Sequence, residues 1–93
     1  MLLFRFNEEV EQATKDEVVA RLEQLGELCP TIGSWTIALN FANSPSAHDV
    51  VEIGDFASIE DLETYKAHPA HKDFSEFVRP LATWALADIE LEL

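Results

Sequence analysis

Tyr65-Lys66-Ala67-His68-Pro69-Ala70-His71 divides one amphipathic stretch into two helices. Pro69 has a fixed φ and no N–H, both suited to the first position of a helix, so His68 falls at the cap and the preceding helix ends near Ala67. Beyond the break, Ala70, Phe74, Phe77 and Val78 recur at helical spacing and form an apolar stripe, with His71 at its border. Before it, Ser58 followed by Asp61 is a variant of the capping box, and the helix it opens carries Ile59, Leu62 and Tyr65 on one side. Tyr65 and His71 therefore flank the break from opposite sides, with two polar tips directed at one space. A site has this appearance, and so does a well-capped helix junction.

Working outward, Leu2 to Phe6 reads as a strand, and Thr14-x-x-Glu17 is a capping box predicting a helix from there to about Leu28, stopped by Pro30. From Ile32 to Ala42, Trp35, Ile37, Leu39 and Phe41 alternate with Ser34, Thr36, Ala38 and Asn40, as in a strand with one apolar face. Asn43-Ser44-Pro45-Ser46 supplies the turn after it. A third strand spans Val50 to Phe56, the two short helices follow, and a fourth strand is expected over Thr83 to Leu91. The order β-α-β-β-α-β is the split βαβ of the ferredoxin-like α+β class. Residues 1–93 read as a single domain, without linker, repeat or low-complexity segment.

Helices cover only one face of such a sheet, yet several strands are apolar on both faces: Leu2, Leu3 and Phe4; Val50 and Val51; Trp84, Ala85, Leu86 and Ala87. A second apolar face is not left in water, and the simplest remedy is a sheet-to-sheet homodimer closing into an α/β barrel whose interior can hold a ligand. Size points the same way, because a 93-residue chain buries only roughly 60 to 65% of its unfolded surface.

Eighteen acidic and six basic residues give a net charge of −12, which repels phosphate backbones and anionic membranes and argues against nucleic-acid or membrane partners. The hydrophobic content of 47% disfavours disorder, and no apolar run is long enough for a membrane helix. Cys29, the single cysteine, has no internal partner and continues the stripe Val18, Leu22, Leu25, so it reads as a small buried hydrophobe. With no signal-like start, a cytoplasmic location is the default expectation.

On Leu3-Phe4-Arg5-Phe6, Asp49 to Phe56 with Ser58-Ile59-Glu60-Asp61-Leu62, the Tyr65-x-x-His68-Pro69-x-His71 element, Phe77-Val78-Arg79-Pro80-Leu81, and Asp88, the chain resembles a stress-responsive A/B barrel domain, or Dabb, over nearly its whole length. The resemblance implies a homodimer of ferredoxin-like subunits forming an α/β barrel. It also implies a chemistry, since a plant branch of the family includes a cofactor-independent polyketide cyclase. There a histidine at the position of His71 is the general base and a tyrosine at the position of Tyr65 polarises the substrate. The cyclase has a further histidine where this chain has Val50, with His48 two residues away. Many members also begin the first strand with a histidine that Met1-Leu2-Leu3 lacks.

The candidate catalytic residues are thus His71 and Tyr65. The candidate ligand-binding residues are His68, Glu52, Trp35, Phe56 and Trp84, with His68 read first as a cap and the aromatic residues equally suited to core or interface. Glu52 shares a strand face with Val50, Gly54 and Phe56; if that face lines the barrel, burial should raise its pKa. Asp88 is expected to pair with Arg79 or Arg5. A tetrahedral metal site wants three or four ligands, and His68-x-x-His71 has no third nearby, so neither metal nor cofactor is expected. Three readings follow: a binder of a small apolar molecule, a cofactor-free cyclase or isomerase using His71 as base, and a purely structural dimer.

Overall fold

A computed structural model describes residues 1–91. Within them, β1 (Leu2–Phe6), α1 (Gln12–Leu28), β2 (Ile32–Leu39), β3 (Val50–Phe56), α2 (Ile59–Ala67), α3 (Pro69–Val78) and β4 (Ala82–Leu86) follow in that order. β1 pairs antiparallel with β3 and with β4, and β2 with β3, so the sheet runs β2-β3-β1-β4. This is the ferredoxin-like α+β fold, with the second helix of the split βαβ unit in two pieces.

Paired residues in an antiparallel ladder share a face. Leu2, Glu52 and Ile37 therefore lie in one row and Phe4, Val50 and Leu39 in the next, with Trp84 opposite Phe4 and Trp35 opposite Gly54. This is the helix-covered face. Val18, Leu22, Leu25 and Cys29, spaced to lie along one side of α1, are buried with Phe4, Val50, Tyr65, Phe74 and Val78. Burial also pushes the Cys29 thiol pKa up. On the reverse face, Leu3, Val51, Ala38 and Ala85 form one cross-strand row with Ile53 beside it; Leu3 and Val51 are half-buried and Ala38, Ile53 and Ala85 exposed.

The caps at the helix break form as the sequence indicates. Ser58 Oγ accepts from the Asp61 N–H at 3.1 Å and His68 Nδ1 from the Ala70 N–H at 3.1 Å, with Pro69 at the first helical position. Three boundaries differ. α1 begins at Gln12, two residues before Thr14, and Glu11 caps it with no side-chain bond; a Gln12 to Asp16 side-chain bond of 2.9 Å braces the first turn instead. β2 stops at Leu39, because Asn40 bonds the His48 carbonyl at 2.7 Å and its own oxygen takes the Ala42 N–H at 3.0 Å, turning the chain away and leaving Phe41 100% exposed. β4 stops at Leu86, which is opposite Leu2: its partner strand ends there, and Ala87 makes the last bond, to the Met1 carbonyl at 3.0 Å. Among the described residues no helix is long and apolar enough to cross a membrane.

Candidate functional site

Between the helix-covered side of the sheet, α2, α3 and the segment after β4 lies a cavity of about 880 Å³. Phe4, Trp35, Phe56, Tyr65, Phe74 and Trp84 give it aromatic walls, and Glu52 and His71 bring polar groups to it.

Trp35 reaches this position because two glycines leave room for it. A Cβ on Gly26 of α1 would stand 2.5 Å from Trp35 Cδ1, and one on Gly54 of β3 would stand 2.8 Å from Trp35 Cζ3. The indole lies in the slot between them and its Nε1–H donates to the Leu22 carbonyl at 2.8 Å. Tyr65 packs against the Trp35 ring at 5.7 Å between centroids, the Phe56 ring at 5.4 Å and the His71 imidazole at 4.6 Å. Gly54→Ala is accordingly expected to displace the indole and cost about 1–3 kcal/mol, seen as a lower urea midpoint together with a changed tryptophan emission.

His71 Nδ1 lies 3.1 Å from the Lys66 carbonyl, a pure acceptor, so Nδ1 carries the proton and donates. The lone pair is then on Nε2, which has no hydrogen-bond partner among the described residues. Burial, the larger effect, lowers the His71 pKa against the opposing pull of this bond, so the ring is mainly neutral at pH 7. His71 lines the cavity, and an unprotonated ring nitrogen is what a general base or a hydrogen-bond acceptor for a ligand requires. Tyr65 is buried, and desolvation, with the nearby Glu52 charge second, raises its pKa, so it stays a phenol able to donate.

Glu52 is 6% exposed in the row between Leu2 and Ile37. Its carboxyl has no hydrogen-bond partner among the described residues. Desolvation, opposed by the Met1 amino group and reinforced by Asp88, lifts its pKa to about 7. No side-chain oxygen among the described residues is both fully enclosed and unpartnered, so the Glu52 carboxyl and the Tyr65 hydroxyl open onto the cavity.

Sequence comparison identifies the lineage of this arrangement: the profile of the stress-responsive A/B barrel domain family, Dabb, matches residues 1–91. The chain belongs to the Dabb family. No curated protein matches this Dabb chain in sequence. Among solved structures it is similar to a dimeric protein of unknown function and ferredoxin-like fold from Bacteroides fragilis (TM-score 0.78, 21% identity, 97% of this chain and 91% of that one). It is similar also to a dimeric ferredoxin-like protein of unknown function from Thermobifida fusca (TM-score 0.76, 19% identity, 92% and 86%). A third similar structure is the hydroxynitrile lyase from Passiflora edulis (TM-score 0.76, 13% identity, 98% and 93%). At these identities the likeness concerns the fold.

In this Dabb chain Tyr65, His71, Glu52, Trp35, Phe56 and Trp84 are brought to one cavity, while His68 is not among its lining residues. The His68 imidazole is spent on capping α3, which holds it on the junction and away from the interior. Asp88 pairs with neither arginine. Arg5 bonds the carbonyls of Pro45 and Ala47, and Asp88 sits 3.7 Å from Lys66 Nζ and 3.9 Å from the Met1 amino group, at the cavity's edge. Sequence reasoning passed over Gly26 and Gly54; a lone glycine within a helix or strand is the signal of a close approach that marks them. Among the described residues no group of three or more His, Cys, Asp or Glu side chains is placed to hold a metal ion.

Proposed function

We propose that this Dabb protein is a homodimer, joined through the uncovered sheet face, that binds one small, largely apolar or aromatic molecule in each subunit's cavity. The carrying observation is an 880 Å³ space walled by aromatic rings and lined by both His71 and Tyr65, whose rings stand 4.6 Å apart. That size is within the range of small-molecule sites, and the side chains of the described residues leave it unfilled. The dimer is supported by the apolar row Leu3, Val51, Ala38, Ala85 and by the dimeric state of the two neighbours of unknown function. N-phenyl-1-naphthylamine, a neutral flat probe, is expected to bind saturably at one per subunit with enhanced fluorescence. Replacing the cavity-lining Ser75 by Trp should abolish this; unsaturable binding, or binding indifferent to Ser75→Trp, removes the reading.

A second reading, proton-transfer catalysis without a cofactor, is favoured by one feature, the tautomer that the Lys66 carbonyl imposes on His71. Nε2 is the base, and the Tyr65 hydroxyl donates to the oxygen that gains charge. With 5-nitrobenzisoxazole as a generic C–H acid, wild type is expected to release phenolate at least 100-fold faster than His71→Ala, with little difference in melting temperature. Equal rates leave binding without catalysis; a large fall in melting temperature assigns His71 to packing.

A further inference from the structure

Glu52 is not needed by either role of His71 and Tyr65, and it is costly where it stands. It occupies the middle of a central strand, with apolar cross-strand neighbours Leu2 and Ile37, and it makes no hydrogen bond among the described residues. A carboxyl placed like this in a binding cavity is completed by whatever enters. Among the described residues three further acids line the same cavity, Asp55, Asp88 and Glu90, against two cations that acids already flank: Lys66, with Glu63 and Asp88 at 3.6 and 3.7 Å, and the Met1 amino group, with Asp88 at 3.9 Å. The whole chain, these groups included, carries a net charge of −12. An anionic ligand is repelled by this field, and a cation is drawn into it. The walls act in the same sense, since the faces of Trp, Tyr and Phe rings attract ammonium groups.

We infer that the cavity is selective for an amine: a small aromatic or apolar molecule whose amino group enters protonated and donates to the Glu52 carboxylate while its apolar body lies among Trp35, Phe56 and Trp84. This rests on the binding reading above and names its ligand class. By itself Glu52 is divided between its two forms near neutral pH. The charged and titratable groups facing it are the Met1 amino group, Asp88 after β4, and Tyr65 on α2, with His71 on α3 next to Tyr65. An arriving ammonium favours the ionised carboxylate, so below pH 7 amine binding expels a proton from Glu52.

Three probes of nearly the same shape separate the possibilities: 2-phenylethylamine, n-propylbenzene and 3-phenylpropanoate, titrated calorimetrically into the intact protein. The amine is expected to bind at least tenfold more tightly than propylbenzene, and the carboxylate most weakly. Glu52→Gln should remove the amine's advantage and leave propylbenzene within about threefold of its wild-type affinity. On wild type at pH 6, titrations in buffers of differing ionisation enthalpy should report proton release with the amine and none with propylbenzene, a readout that requires no substitution. Propylbenzene binding as well as or better than the amine, or an amine affinity indifferent to Glu52→Gln, overturns amine selectivity while the apolar cavity stands. Failure of all three probes to bind overturns both.

Discussion

Glu52→Gln is expected to stabilise the protein at pH 8 by about 3 kcal/mol relative to its effect at pH 4, a gain that comes from deleting a charge and adding no contact. The folded-state pKa of Glu52 is raised to about 7 from an ordinary 4.5. Between those values the folded protein holds a proton that the unfolded chain has released, so wild-type stability falls as pH rises through the window and levels off above it. Gln resembles the protonated acid in shape and does not titrate. The difference between variant and wild type should therefore be small below pH 4.5, widen up to pH 7 and stay constant beyond. Urea unfolding at fixed protein concentration, run at pH 4, 6 and 8, measures it directly. A difference that does not change with pH means that the carboxyl is hydrated and titrates as a surface glutamate.

Val51→Glu should convert the proposed homodimer into a folded monomer, weakening association by a factor of about 10³ or more. Val51 is paired with Leu3 on one side and Ala38 on the other, at the centre of the uncovered face, so two-fold symmetry would bury the new carboxylate twice without a partner. Folding of the subunit should survive, because Val51 points away from the core that Phe4, Val50 and Leu22 form and is only half-buried in the isolated chain. Sedimentation equilibrium should give twice the 10.5 kDa chain mass for wild type and the single mass for the variant, with unchanged far-UV circular dichroism. A variant that still sediments as a dimer places the interface elsewhere on the molecule.

The legible parts of the architecture are those governed by neighbours in the chain. Pro69 cannot donate and fixes its own φ, so the junction of α2 and α3 and the role of His68 as cap follow from a few residues. Ser58 caps α2 for the same kind of reason. Alternation in β3 puts Glu52 with Val50 and Gly54, and the spacing of Val18, Leu22, Leu25 and Cys29 gives α1 its buried side. Where local signals competed, they misled: Thr14 carries a good capping pattern, yet the helix starts earlier, at Gln12, and Phe41 continues an alternation that Asn40 interrupts by bonding across to His48.

The candidate site was legible as a set of residue types and not as a place. Tyr65 and His71 could be paired across the helix break, but no spacing rule says that the Lys66 carbonyl fixes the tautomer of His71 or that its Nε2 has no partner among the described residues. Alternation alone assigns Glu52 to a face without saying that the helices cover that face, and its raised pKa depends on that covering and on charges brought from Met1 and Asp88. The Trp35 slot needs Gly26 and Gly54 from two different elements, and β4 ends opposite the end of its partner strand β1, at the pair Leu2 and Leu86.

By itself, then, the sequence determined the order of elements, the helix break with its caps, the two-faced character of the sheet and membership in the Dabb family. Backbone sterics, capping bonds and the periods of helix and strand act within a few residues, and they can be read along the chain. Tertiary structure alone decided which strand face meets the helices, that an open cavity remains between them, and that a carboxyl with no partner among the described residues faces it. Those outcomes depend on desolvation and packing between residues distant in sequence, whose energies exist only once the chain has brought them together.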